Sequence, residues 1–106
     1  MNEKRIAQLL EMEKHQPNDA FLKFALAQEY VNVNNDQKAT EYFELLVEKF
    51  PNYVPTYYQF GKLYERVNEI AKCVYIYKVG IEKAKAAGDL KTATELTEAL
   101  TLIEDE

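Results

Sequence analysis

The chain has 106 residues, 47% hydrophobic and 29% charged, with a net charge of -5; that is the balance of one soluble globular domain. An acidic chain with only two arginines, Arg5 and Arg66, lacks the basic face that nucleic acid or an anionic membrane requires, so neither is an expected partner. It has one Cys, one His and no Ser, so a disulfide framework, a Cys/His zinc site and a Ser–His–Asp triad are all excluded within one chain.

Apolar residues recur at helical spacing in six segments. The first runs from about Glu3 to His15, with Ile6, Leu9, Leu10 and Met12 on one side. Pro17-Asn18-Asp19 ends it and offers a cap for the second, which carries Leu22, Leu26, Ala27 and Tyr30 as far as about Asn32. The turn Asn34-Asn35-Asp36 leads into the third, from about Gln37 to Lys49, with Ala39, Phe43, Leu46 and Val47 in register. Pro51-Asn52 breaks the chain again. The fourth spans about Val54 to Val67, where Pro55 fits because the first helical turn needs no intrahelical donor. The fifth runs from about Glu69 to Ala87, and Gly88-Asp89 supplies a stop followed by a cap. The sixth reaches about Glu104 with Leu90, Ala93, Leu96, Leu100 and Ile103 on one face. Nothing alternates with the period of two that strands need, so the fold class is all-α, with short connections and antiparallel neighbours.

The first segment meets charges again at Glu11 and Glu13, so it does not read as a secretory signal. No window approaches the roughly 20 apolar residues of a membrane span. The lone Cys73 fits a reducing compartment, and the cytoplasm is the expected location.

Shifting the chain by 34 residues superposes Pro17 on Pro51, Asn18 on Asn52, Tyr30 on Tyr64, Val33-Asn34 on Val67-Asn68, Lys38 on Lys72 and Glu48-Lys49 on Glu82-Lys83. One period equals one pair of helices. The second unit reads Tyr57-x2-Phe60-Gly61-x2-Tyr64, then Cys73-x3-Tyr77; the first reads Lys23-x2-Leu26-Ala27-x2-Tyr30, then Ala39-x3-Phe43, then Pro51. These residues resemble the tetratricopeptide repeat (TPR) pattern. Lys23 in place of an aromatic residue, Leu46 in place of a small one and Lys85 in place of the closing proline depart from it.

The resemblance implies a right-handed α-solenoid of antiparallel helix pairs. It also implies a single domain over 1–106: an N-terminal cap helix in 1–16, repeats in 17–50 and 51–87, and a C-terminal cap helix in 88–106. Ala27, Gly61, Ala39 and Cys73 would let paired helices approach closely, and Tyr30 and Tyr64 would fill the space between units.

His15 has no neighbouring nucleophile or ligand set in sequence and reads as a plain helix-end residue. Cys73 reads as a buried thiol. Glu41, Glu44 and Glu48, and again Glu95, Glu98, Glu104, Asp105 and Glu106, read as solvated helix faces. No Gly-rich loop cradles a phosphate. No cofactor, no metal site and no enzymatic activity are expected.

Core filling explains most of the eight Tyr and five Phe, but not Phe24 and Tyr58. These fall on a second stripe, which reads Phe21, Phe24, Gln28, Val31 and Asn32 in one unit and Pro55, Tyr58, Lys62, Glu65 and Arg66 in the next. In the TPR family that face lines a concave groove, so the resemblance implies partner-binding roles for Phe21, Phe24, Gln28, Asn32, Tyr58, Gln59, Lys62 and Arg66. The expected function is a non-catalytic interaction module that takes a protein or peptide segment of unknown identity. The carboxylate clamp known in some TPR grooves is poorly matched, because Phe24, Gln28 and Gln59 occupy its positions. The alternative is a structural subunit that forms a weak homodimer through the outer faces of the fifth and sixth helices, where Val74, Tyr75, Ile76 and Val79 add a further apolar stripe.

Overall fold

The computed structural model describes residues 2–105, and Glu106 of the acidic end lies outside them. Six helices are present: α1 (Asn2–His15), α2 (Ala20–Asn32), α3 (Asp36–Lys49), α4 (Pro55–Arg66), α5 (Ile70–Ala86) and α6 (Leu90–Glu104). There is no strand among the described residues. All six follow the sequence periodicity to within a few residues at each end.

Three of the turns share one chemistry. Asn34, Asn68 and Gly88 stand at φ 61°, 64° and 75°, the left-handed region that stops a helix. After each, the next N–H reaches back to a carbonyl of the helix just ended: Asn35 to Tyr30 at 2.9 Å, Glu69 to Tyr64 at 2.8 Å, Asp89 to Ala84 at 2.8 Å. That residue then opens the next helix. The Asn35 and Asp89 side chains accept from the N–H groups of Lys38 and Thr92 at 3.2 and 3.1 Å. Glu69 holds the same backbone shape, but its longer side chain makes no cap bond.

The chain divides inside the Pro51–Pro55 connection into two compact units, residues up to Tyr53 and residues from Val54. In the first, α2 packs on α1 and α3. Ile6, Leu9, Leu22 and Leu26 form a buried cluster with Leu10, Tyr30 and Tyr42 against it, and Ala27, Ala39, Phe43 and Leu46 are wholly buried. In the second, α5 packs on α4 and α6 around Tyr57, Phe60, Cys73, Tyr77 and Leu96.

Helix approach in the second unit depends on two glycines. A Cβ at Gly61 would fall on the buried Tyr77 ring. A Cβ at Gly80 would meet Tyr57, with Leu96 Cδ1 at 3.0 Å. Thirty-four residues earlier, the positions of Tyr57 and Gly80 hold Lys23 and Leu46. The two departures that lie in the first unit therefore fall on positions that touch in the other unit.

The stripe expected on α5 is smaller than its sequence indicates. Ile76 is buried, Val74 and Val79 are partly covered, and Tyr75 alone stays open, at 65% exposure. Packing between α4 and α6 covers α5 on more than one side.

Candidate functional site

In the first unit, Phe24 is half-buried. Its ring stands edge-on to Phe43 at 6.4 Å and tilted to Tyr53 at 5.7 Å. Phe21 lies one turn earlier in α2, open to solvent, and lines a separate shallow recess with the Pro17–Asp19 turn and Tyr53. Gln28 is partly covered and Asn32 exposed.

Tyr58 repeats the Phe24 arrangement in the second unit. It is half-buried and tilted against Tyr77 at 6.3 Å. The Lys62 ammonium sits over its ring, 5.6 Å from the centroid, and 3.6 Å from Glu65 Oε1. Gln59 is partly covered and Arg66 exposed at the end of α4. Core packing thus accounts for one side of Phe24 and Tyr58, which the periodicity alone did not assign to the core. Both residues nonetheless stay partly exposed.

Tyr58 and Lys62 share a cleft of about 390 Å³ with Glu95, Glu98, Ala99 and Leu102 of α6. The sequence alone presents Glu95 and Glu98 as a plain solvated face. They are exposed, and they also form one wall of this cleft. Their spacing with Leu102, i, i+3 and i+7, is the signal that could have found them.

The sequence also missed a polar cluster in the first unit. Lys23, in the aromatic position of the repeat, is 8% exposed. It donates to Glu13 Oε2 at 2.7 Å, while the Tyr42 hydroxyl donates to Glu13 Oε1 at 3.1 Å. Burial, and then the Glu13 carboxylate, hold the Tyr42 phenol well above its usual value. Tyr30 stacks on Tyr42 at 5.9 Å, and Tyr64 on Phe60 at 4.3 Å, so both repeat tyrosines have partners inside their own units.

His15 lies at the exposed end of α1, 3.5 Å from Glu11. Cys73 is wholly buried, and burial pushes its thiol up, away from a reactive thiolate. Among the described residues no three His, Cys, Asp or Glu side chains converge as a metal site would require. No helix among them is long and apolar enough to cross a membrane.

No protein-family model matches the chain. The solution structure of a tetratricopeptide repeat domain protein from Salinibacter ruber is 43% identical, covering 84% of this chain and 90% of that one with a TM-score of 0.81. The chain belongs to the tetratricopeptide repeat family. A TPR repeat-containing protein of Pseudomonas aeruginosa is 25% identical over 80 residues, 76% of either chain. A Bordetella parapertussis protein of known structure is 19% identical over 94% of this chain and 87% of its own, with a TM-score of 0.81, a likeness of fold alone. Proteins of the TPR fold serve in general as protein–protein interaction scaffolds.

Proposed function

We propose that this TPR chain is a non-catalytic interaction module that acts as one domain and holds a segment of a partner protein. The contact surface is the face of α2 carrying Phe21, Phe24, Gln28 and Asn32 and the face of α4 carrying Tyr58, Gln59, Lys62 and Arg66. One observation carries the reading: Phe24 and Tyr58 are each held by aromatic rings of their own unit and yet stay partly exposed. A ring already held in place loses little entropy on binding, and aromatic residues are common binding hot spots. Affinity is expected in the micromolar range, since few anchors can be fully buried. The buried, unpaired Cys73 is compatible with a reducing compartment, and the cytoplasm is the proposed setting.

The second reading is self-association through the outer faces of α5 and α6, favoured by the exposure of Tyr75 at 65% and Leu90 at 69%. A photo-crosslinking side chain at Gln28, at Lys62 or at Tyr75 separates the two. Cross-links to a partner from the Gln28 and Lys62 positions, and none from Tyr75, support the interaction reading. Cross-links from Tyr75 to a second copy, with none from the other two positions, would sink it.

A further inference from the structure

Glu95, Glu98 and Leu102 form one stripe on α6 and face Tyr58 and Lys62 of α4 across their shared cleft. Of the lining residues, Leu102 is 69% exposed and Ala99 is buried. Lys62 is engaged on its own helix, over the Tyr58 ring and beside Glu65. Glu95 and Glu98 have no hydrogen-bond or ion-pair partner among the described residues. The lining therefore carries two anions against one cation already matched, on a chain whose net charge is -5. It joins the apolar surface of Tyr58, Ala99 and Leu102 to two carboxylates on α6. A ligand complementary to both brings an apolar side chain with a positive charge beside it.

We propose, resting on the interaction reading above, that the cleft between α4 and α6 seats a basic segment of a partner protein. An aliphatic side chain of that segment lies between Tyr58 and Leu102, and a neighbouring lysine or arginine pairs with Glu95 and Glu98. Lys62 then opposes the partner's charge rather than recruiting it. This sets the sign of its substitution: Lys62→Gln tightens binding of a basic segment.

The probe is a phage-displayed library of random linear peptides, panned on the full chain. The expected pool is enriched in Lys or Arg next to an aliphatic residue. A synthetic peptide from it should bind about tenfold more weakly to Glu95→Gln/Glu98→Gln and to Leu102→Ser, and more weakly at higher salt. It should bind more tightly to Lys62→Gln. The four replaced side chains are exposed, and unchanged circular dichroism melts would confirm that these variants fold. A pool rich in Asp and Glu, or one without charge preference, overturns the basic-segment proposal. If its capture still depends on Tyr58, the interaction reading survives. No enrichment of any sequence overturns both. A light-scattering mass of two chains that falls to one in Glu95→Gln/Glu98→Gln assigns the cleft to a second copy and also overturns the proposal.

Discussion

Lys23 and Glu13 meet at 2.7 Å with side chains only 10% and 19% exposed, tying α2 to α1 by a charge pair at a largely dehydrated position. Tyr42 completes the Glu13 carboxylate from α3. Two ions taken from water repay that cost only through close geometry and a full set of hydrogen bonds. Removing Glu13 strands the lysine and leaves the Tyr42 hydroxyl without its acceptor. We expect Glu13→Ala to cost about 3 kcal/mol in urea denaturation, whereas Lys23→Met/Glu13→Leu, which removes both charges, should recover most of it. An unchanged midpoint in the single variant would show that the pair does not hold α1.

The two glycines of the second unit should respond to a single methyl group. Gly61→Ala drives a Cβ into Tyr77, and Gly80→Ala drives one into Tyr57 and Leu96. Each should cost about 1–3 kcal/mol. Shortening the opposing ring should soften the first: in a double-mutant cycle, Gly61→Ala is expected to cost less in a Tyr77→Leu background than in wild type. Additive costs would mean that the two residues do not meet.

The repeat itself was legible because its period and its small residues are local signals, and they place all six helices. Gly80 reads in the sequence only as a punctuating glycine, because a glycine inside a helix shows its purpose only when the facing residue, Tyr57, is known. Lys23 looked like a defect in the pattern for the same reason. Its partner Glu13 lies on another helix, and no spacing rule connects the two. Phe24 and Tyr58 stand out in the sequence as a second stripe, but their contacts with Phe43, Tyr53 and Tyr77 depend on how helices cross. The α6 wall was missed because exposed glutamates on a helix look alike whether or not another helix stands across from them.

One helix start can be improved. Glu69 occupies the cap position of α5 with the backbone shape of Asn35 and Asp89, but without their side-chain bond. Glu69→Asp shortens the side chain to reach the first turn and should stabilise by about 0.5 kcal/mol, read as a higher thermal midpoint. The companion change Asp89→Ala should cost about 1 kcal/mol. A Glu69→Asp variant that melts lower than wild type would contradict the cap geometry.

Alkaline pH should weaken the fold through its buried phenols. Burial first, and then the Glu13 charge for Tyr42 and the Cys73 and Glu65 groups for Tyr77, hold both well above the ordinary value of 10.0. The folded chain keeps these protons more tightly than the unfolded one. Their contribution is therefore complete below pH 10 and declines as pH rises beyond it. Absorbance at the phenolate band should show these tyrosines ionising together with the loss of helical circular dichroism. Ionisation of Tyr42 and Tyr77 at pH 10 in a chain that keeps its full helical signal would count against their burial.

Within each unit, every helix packs on the helix that precedes or follows it in the chain. The segments that must find each other are separated only by a short turn, so little entropy is lost in closing the loop before packing begins to reward it. Chains with this local wiring reach the native state in microseconds to milliseconds, far faster than sheets assembled from distant strands. A nascent chain need not wait for its far end, because the packing partners of α1, α2 and α3 within their unit have all been synthesised by the time Tyr53 is added.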